Sequence, residues 1–301
     1  MSFICGAGST NVDLLYSGMK RIPDVGEELF SKDFSLKLGG GVPATLINLA
    51  RLGIKTRIAT SLGNDIFSEF AKKEFKDAGA DVINMYSGNE IPLTVTSAVI
   101  LEKDRTFFSY SGWGKTNANA DEIFYNTAKG SKITLMQTGE FIEVYKKLKA
   151  EGTILVLDTG WDDGLSLEAY SDYLELADYY TPNRMEAIKI TGEKTPENAA
   201  EKLKKYFDKV IVKLDSEGCI GIEDGETFTV KSIDEFKNVD STGAGDAFLA
   251  GLCYGIYNGY PLRDSILFGN ITGGKSVTAI GALSAYLNEK ELLDYYNKYK
   301  K

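Results

Sequence analysis

The chain contains no histidine. A Ser-His-Asp triad, a Cys-His pair and a His-ligated zinc site are thereby excluded. Acid–base chemistry falls to Asp, Glu, Lys, Tyr or Cys. Cysteine is scarce: Cys5, Cys219 and Cys253 are far apart, form no CxxC pair and each lies in an apolar run. That pattern predicts reduced, buried thiols and a cytoplasmic setting. No apolar run approaches the ~20 residues of a membrane-spanning helix. The opening MSFICGAGST has no basic region before its short apolar run, so neither a membrane partner nor a signal peptide is expected. Positive charge is in deficit: 34 Lys and Arg face 43 Asp and Glu, a net charge of −9 at pH 7. A phosphate-backbone surface needs clustered Lys and Arg, so nucleic acid is not an expected partner.

What is present is an ordinary globular composition over 301 residues, 43% hydrophobic and 26% charged, enough for a large core. Strand-like runs at 2–5, 56–60, 132–137, 153–158, 178–180, 210–214 and 219–222 alternate with helix-like stretches. Over 65–80, Phe67, Phe70, Ala71, Phe75 and Ala78 fall at helical spacing, with Gly79 as a stop signal. Residues 196–207 repeat the pattern with Ala200, Leu203 and Phe207, and 246–259 is apolar nearly all round, as a buried helix would be. The alternation predicts an α/β fold with a mostly parallel sheet and helices on both faces. Residues 14–38 and 91–113 break the rhythm and read as hairpins, the second turning at Glu102-Lys103-Asp104. They predict a small β-sheet lid over a site, or a dimer surface. The predicted division is a core of 1–13, 39–90 and 114–301 and a lid of 14–38 and 91–113.

The stretch VDSTGAGDAFLAGL, residues 239–252, sets Asp240 and Asp246 around a Gly-Ala-Gly turn that runs into an apolar helix. A helix N-terminus exposes unpaired N–H groups and a positive dipole end, and glycine lets backbone approach a ligand. The turn is an anion cradle by this reasoning. Capping requires one carboxylate, not two. A second acid beside the cradle suits phosphoryl transfer, which asks for charge stabilisation and a base to orient the nucleophile.

DSTGAGD, 240–246, resembles the C-terminal signature of the PfkB, or ribokinase-like, carbohydrate kinase family. GGGVPATLINLARLG, 39–53, resembles its N-terminal glycine motif; GSTNVD, 8–13, its opening substrate loop; NRME, 183–186, its Asn-x-x-Glu motif. The resemblance covers essentially the whole chain. It implies a three-layer α/β/α core with a mostly parallel sheet and a small β-sheet lid. It implies ATP- and Mg²⁺-dependent phosphorylation of a hydroxymethyl group on a sugar or related polyol, and a homodimer through the lid. A nucleoside kinase shares this fold. A non-catalytic sugar-binding protein would be marked by loss of Asp246 or of the glycine turn.

By the same resemblance, Asp246 is the catalytic base and Gly243, Ala244 and Gly245 form the anion hole. Asn11, Asp13, Gly39, Gly40, Gly41 and Thr45 face the sugar, with Glu140 and Arg105 as further substrate candidates. Asn183, Lys213, Asp215, Gly218, Thr242 and Asn270 fall on the nucleotide side. Glu186 organises Mg²⁺ through water, and the carbonyls of Asp240 and Thr242 are a candidate site for a monovalent cation such as K⁺. Trp113 and Trp161 are candidates for stacking on a ring. The chain departs from the family pattern at Ala44, where relatives often carry Asn, and at Gly41, where some carry Lys. It departs again at 158–163, which replaces an Asp-x-Asn-x-Arg pattern, and at Asp215, which replaces a glycine. GAGSTN, 6–11, lacks the third glycine of a dinucleotide fingerprint.

Overall fold

Ile4 and Cys5 are neighbours and both fully buried, yet they pack into different cores. Successive side chains of a strand point to opposite faces, so a strand apolar at every position must be covered on both sides. The computed structural model describes residues 2–101, 105–112 and 119–300. The hairpin turn expected at 102–104 and Trp113 lie outside these residues.

In chain order the strands are β1 (Ile4–Ala7), β2 (Asn11–Ser17), β3 (Asp33–Gly39), β4 (Thr56–Thr60), β5 (Asp81–Asn84), β6 (Thr94–Ile100), β7 (Arg105–Ser111), β8 (Ile133–Met136), β9 (Ile154–Leu157), β10 (Tyr179–Tyr180), β11 (Lys209–Lys213), β12 (Cys219–Glu223) and β13 (Glu226–Val230). The helices are α1 (Gly41–Arg51), α2 (Ile66–Ala78), α3 (Ala120–Ala128), α4 (Ile142–Ala150), α5 (Ser171–Leu174), α6 (Arg184–Thr191), α7 (Pro196–Leu203), α8 (Ala244–Tyr257), α9 (Leu262–Ser276) and α10 (Glu289–Tyr299).

Among the described residues, nine strands form the main sheet in the order β13-β12-β11-β10-β9-β8-β1-β4-β5. Pairing is parallel except at β11–β12 and β12–β13. Ile4 belongs to a core with Leu46 of α1, Phe75 of α2, Phe248 of α8, Phe268 of α9 and Leu292 of α10. Cys5 belongs to the opposite one, with Phe124 of α3, Tyr145 of α4, Ala187 of α6 and Leu203 of α7. The three-layer α/β/α arrangement follows. Burial pushes the thiols of Cys5 and Cys219 up to about 12, and all three cysteines are free and buried.

Local signals place the helix ends. Asp65 accepts from the N–H groups of Phe67 and Ser68 at 3.0 Å each, and Gly79 closes α2 in the left-handed conformation. Helices α8 and α9 pack closely: a Cβ on Gly251 would run into Oγ1 of Thr272 and the carbonyl of Phe268. Among the described residues no helix is long and apolar enough to cross a membrane.

A second sheet has the order β3-β2-β6-β7. β2 and β6 run parallel and the other pairs antiparallel. It begins at Asn11 rather than residue 14, so Asn11 and Asp13 stand on this sheet. Residues 18–32, read from sequence as part of a hairpin, contain no strand; Gly18 and Gly26 at positive φ break the run. One face of the sheet carries Asn11, Asp13, Thr96, Ser109 and Arg105. The other carries Leu14, Tyr16, Phe34, Leu36, Phe108 and Tyr110.

Candidate active site

The carboxyl ends of β8, β9 and β11 and the N-termini of α1, α6 and α8 converge on a cavity of ≈ 380 Å³. Ligands of open α/β sheets bind at that edge. Its wall includes Gly41, Thr45, Gln137, Thr138, Asp158, Asn183, Glu186, Lys213, Gly243, Gly245 and Asp246.

Gly243 starts α8 with φ 75° and supplies no side-chain cap. A Cβ there would lie 2.5 Å from the Cβ of Ala282, so both the dihedral and the close approach call for glycine. Ala244 N–H bonds to the Ser241 carbonyl at 3.2 Å, and Ala247 N–H to the Gly243 carbonyl at 2.9 Å. The N–H groups of Gly245 and Asp246 find no backbone acceptor among the described residues. They are the open donors of a helix start.

Asp246 follows at the third position of α8 and is half-buried. A Cβ on Gly41, the first residue of α1, would lie 3.8 Å from its Oδ1. Burial pushes Asp246 up to about 7, with Asp158 adding and Lys213 opposing. Lys213 Nζ donates to Asp158 Oδ2 at 2.6 Å, the two side chains being 13% and 23% exposed. Burial works against the Lys213 charge, but Asp158, Glu186 and Asp246 outweigh it and raise its pKa. Glu186 is raised too, by burial and then by Asp158, with Lys213 and the Asn183 N–H opposing. Asn183 and Glu186 form a capping box on α6: Asn183 N–H donates to Glu186 Oε2 at 2.8 Å, and Glu186 N–H to Asn183 Oδ1 at 2.9 Å. This box holds the Glu186 carboxylate at the cavity wall.

On the second sheet, Asn11 Nδ2 donates to Asp13 Oδ1 at 2.7 Å, and Thr96 bonds to both Asn11 and Ser109. Asp13 is 9% exposed. Burial pushes it up to about 6, with Asn11 opposing and Asp240 adding. Its Oδ2 would lie 3.0 Å from a Cβ on Gly39. Gly40 has φ 100°, where a Cβ would lie 2.5 Å from the Ser9 carbonyl, so it lets the chain pass from β3 into α1. Thr45 lines the cavity, its hydroxyl spent on the Gly41 carbonyl at 3.1 Å.

Several expected residues lie outside this cavity wall. Arg105 reaches from the second sheet onto Asp240 at 2.7 Å and Thr242 at 2.6 Å. Glu140 lies outside the cavity wall, and its carbonyl accepts from the Tyr173 hydroxyl at 3.2 Å. Asn270 donates its amide hydrogens to the carbonyls of Val230 and Lys231, at 3.2 and 2.9 Å, so it fastens α9 to the end of β13. Asp215 sits at φ 54°, which explains why a glycine suits that position, and its exposed carboxylate pairs with Arg184 at 3.7 Å. Gly218 closes the same turn before β12. Trp161 is exposed and outside the cavity wall. Asp158 was missed as a site residue. Its signal was its place at the carboxyl end of a buried strand, the ligand edge of such sheets.

The nine-stranded, mostly parallel sheet with a second small sheet is the fold of ribokinase-like sugar and nucleoside kinases. The family model described as "pfkB family carbohydrate kinase" matches residues 1–289; the chain belongs to that family and is a carbohydrate kinase. Ribokinase of Lactococcus lactis subsp. lactis is 27% identical over 295 residues, covering 94% of this chain and 93% of the relative. The structure of Arabidopsis thaliana ribokinase complexed with ribose and ATP matches with a TM-score of 0.81 at 23% identity, covering 98% of this chain and 99% of that one. The nucleoside kinase of Methanocaldococcus jannaschii matches with a TM-score of 0.78 at 19% identity, covering 99% of each chain.

Proposed function

We propose that the protein transfers the γ-phosphoryl group of ATP to a hydroxymethyl group of a neutral sugar or related polyol in the cytoplasm, with Asp246 as general base. The carrying observation is Asp246 itself: a carboxyl lifted to about 7, beside the open N–H of Gly245, on the cavity wall. A base works best with a pKa near the operating pH. The acceptor hydroxyl gives its proton to Asp246 as its oxygen bonds to the γ-phosphorus. The bond from that phosphorus to the bridging oxygen breaks, and ADP leaves. The Gly243–Gly245 turn holds the negative charge of the transferring group through the open N–H groups of Gly245 and Asp246, the Ala244 N–H being bonded to the Ser241 carbonyl.

Asn11, Asp13 and Thr96 suit the hydroxyls of a polyol. Asp13, with Asp240 near enough to raise it, disfavours an anionic acceptor. Lys213 and the 215–218 turn form the nucleotide side. Among the described residues no group of three or more His, Cys, Asp or Glu forms a metal cage. Asp158 and Glu186 on the cavity wall would suit Mg²⁺, which keeps most of its water; when bound, that ion neutralises phosphate charge. A second copy of the chain would cover the apolar face of the small sheet, where Tyr16 and Phe34 pair at 5.2 Å and Phe34 and Phe108 are exposed. Sedimentation of Phe34→Asp against the wild type tests that dimer.

The function is tested by ADP release from MgATP over a panel of neutral sugars, polyols and nucleosides. Turnover on a sugar or polyol, lost in Asp246→Asn, is expected. Turnover on nucleosides alone would make the protein a nucleoside kinase. Acceptors that bind without turnover, each adding about 2.7 kcal/mol of stability at ~100 times its Kd, would sink the catalytic reading.

A further inference from the structure

The turn that leads into the anion hole is held by a cation from the other sheet. Arg105 is the first residue of β7, and its Nη1 donates to Asp240 Oδ1 at 2.7 Å and to Thr242 Oγ1 at 2.6 Å. Thr242 in turn donates its hydroxyl to Asp240 Oδ1 at 2.7 Å and its N–H to the same oxygen at 3.0 Å. Asp240 Oδ2 accepts from the Gly281 N–H at 2.9 Å. The three side chains close a triangle. The guanidinium also lies 5.6 Å from the Phe107 ring, its neighbour on the same face of β7.

Family resemblance places a monovalent cation near the carbonyls of Asp240 and Thr242, and the residues present do not fit one at the neighbouring Asp240 carboxylate. Its charge already faces a guanidinium, and both its oxygens are occupied. The side chain is 12% exposed against 37% for Arg105, so the anion is the more enclosed partner. Burial works against its charge, but the N–H groups of Gly281 and Thr242, the Thr242 hydroxyl and Arg105 prevail and hold it below the usual carboxylate range. Gly243 follows at once, pressed against Ala282, next to Gly281. The anchor on Asp240 therefore fixes where the open N–H groups point.

We propose that Arg105 is a built-in counter-cation that replaces a monovalent ion at Asp240 and ties the position of the lid sheet to the geometry of the anion hole. It is a positioning residue, and the inference rests on the kinase reading above. It requires that turnover need neither K⁺ nor Na⁺. It also requires that removing Arg105 create a cation dependence the natural chain lacks.

The test compares wild type, Arg105→Ala and Arg105→Lys in potassium and in tetramethylammonium chloride at matched ionic strength. Wild-type kcat should change by less than about twofold between the salts. Arg105→Ala should lose at least about tenfold in kcat in tetramethylammonium, because a displaced cradle misplaces the reacting group, and potassium should restore part of it. Acceptor KM should stay put, and Arg105→Lys should keep most of the rate, since it retains the charge with a poorer fork. A potassium-dependent wild type, an Arg105→Ala variant indifferent to salt, or a loss confined to acceptor KM would each overturn the proposal. Thermal unfolding in the same salts gives an answer without turnover. Potassium should raise the Tm of Arg105→Ala and leave that of the wild type unchanged; equal responses would overturn the proposal even if no acceptor were phosphorylated.

Discussion

The ammonium of Lys213 lies 2.6 Å from Oδ2 of Asp158, 55 residues earlier in the chain, at the floor of the cavity. Strand β11 delivers the lysine, and the aspartate follows the last residue of β9. Both act on Asp246, in opposite senses.

Turnover should therefore fall on the acid side of about pH 7, where Asp246 gains its proton. Asp158→Asn removes a like charge and should move that limb to lower pH. Lys213→Met removes the opposing charge and should move it to higher pH. Profiles of kcat against pH check both; shifts in the same direction would separate the limb from Asp246.

Asp246→Asn should lower kcat by about 10²–10⁴, the range for losing a general base, with acceptor KM nearly unchanged. Equal loss of acceptor binding, read by calorimetry, would make Asp246 a substrate-holding group instead.

The same carboxyl weakens the fold at neutral pH. Asp13 and Asp246 are raised from 3.8 to about 6 and about 7. Both hold a proton more tightly in the folded chain. The stability this contributes is fully present below 3.8 and is lost as pH rises through 6 and 7. Asp246→Asn should thus melt a few degrees above the wild type at about pH 8, with the gap much narrower at about pH 5. Melting curves at the two pH values decide it.

Gly243→Ala should cut kcat by about 10²–10³, as loss of an oxyanion donor does, while secondary structure is retained. The new Cβ must clear Ala282 and accept a φ of 75°. Circular dichroism with initial rates separates a displaced turn from an unfolded chain.

Gly251→Val should destabilise by about 1–3 kcal/mol through overpacking. The side chain would enter Thr272 and the carbonyl of Phe268 on α9. Urea unfolding measures the loss; an unchanged midpoint would mean that the two helices separate freely.

Much of the core was legible because its signals are local. The apolar spacing with Asp65 and Gly79 at its ends marked α2, and strands apolar at every position required cover on both faces. The small sheet was legible in kind but not in extent. Alternation marks a half-exposed strand, but Asn11-Val12-Asp13 alternates and Leu14-Leu15-Tyr16 does not, so only pairing with β3 and β6 showed where β2 begins. The hold of Asn270 on the Val230 and Lys231 carbonyls was not legible, because its position, not its partners, is visible in sequence.

The sequence by itself determined the three-layer architecture, the absence of histidine chemistry, and the glycine turn with its two acids, since periodicity, composition and backbone freedom are properties of short stretches. Tertiary structure alone decided that Lys213 meets Asp158, that Arg105 closes on Asp240, and that Asp246 is lifted toward neutrality. Charge pairing and desolvation depend on distance through space, and strands brought together from distant parts of the chain set those distances.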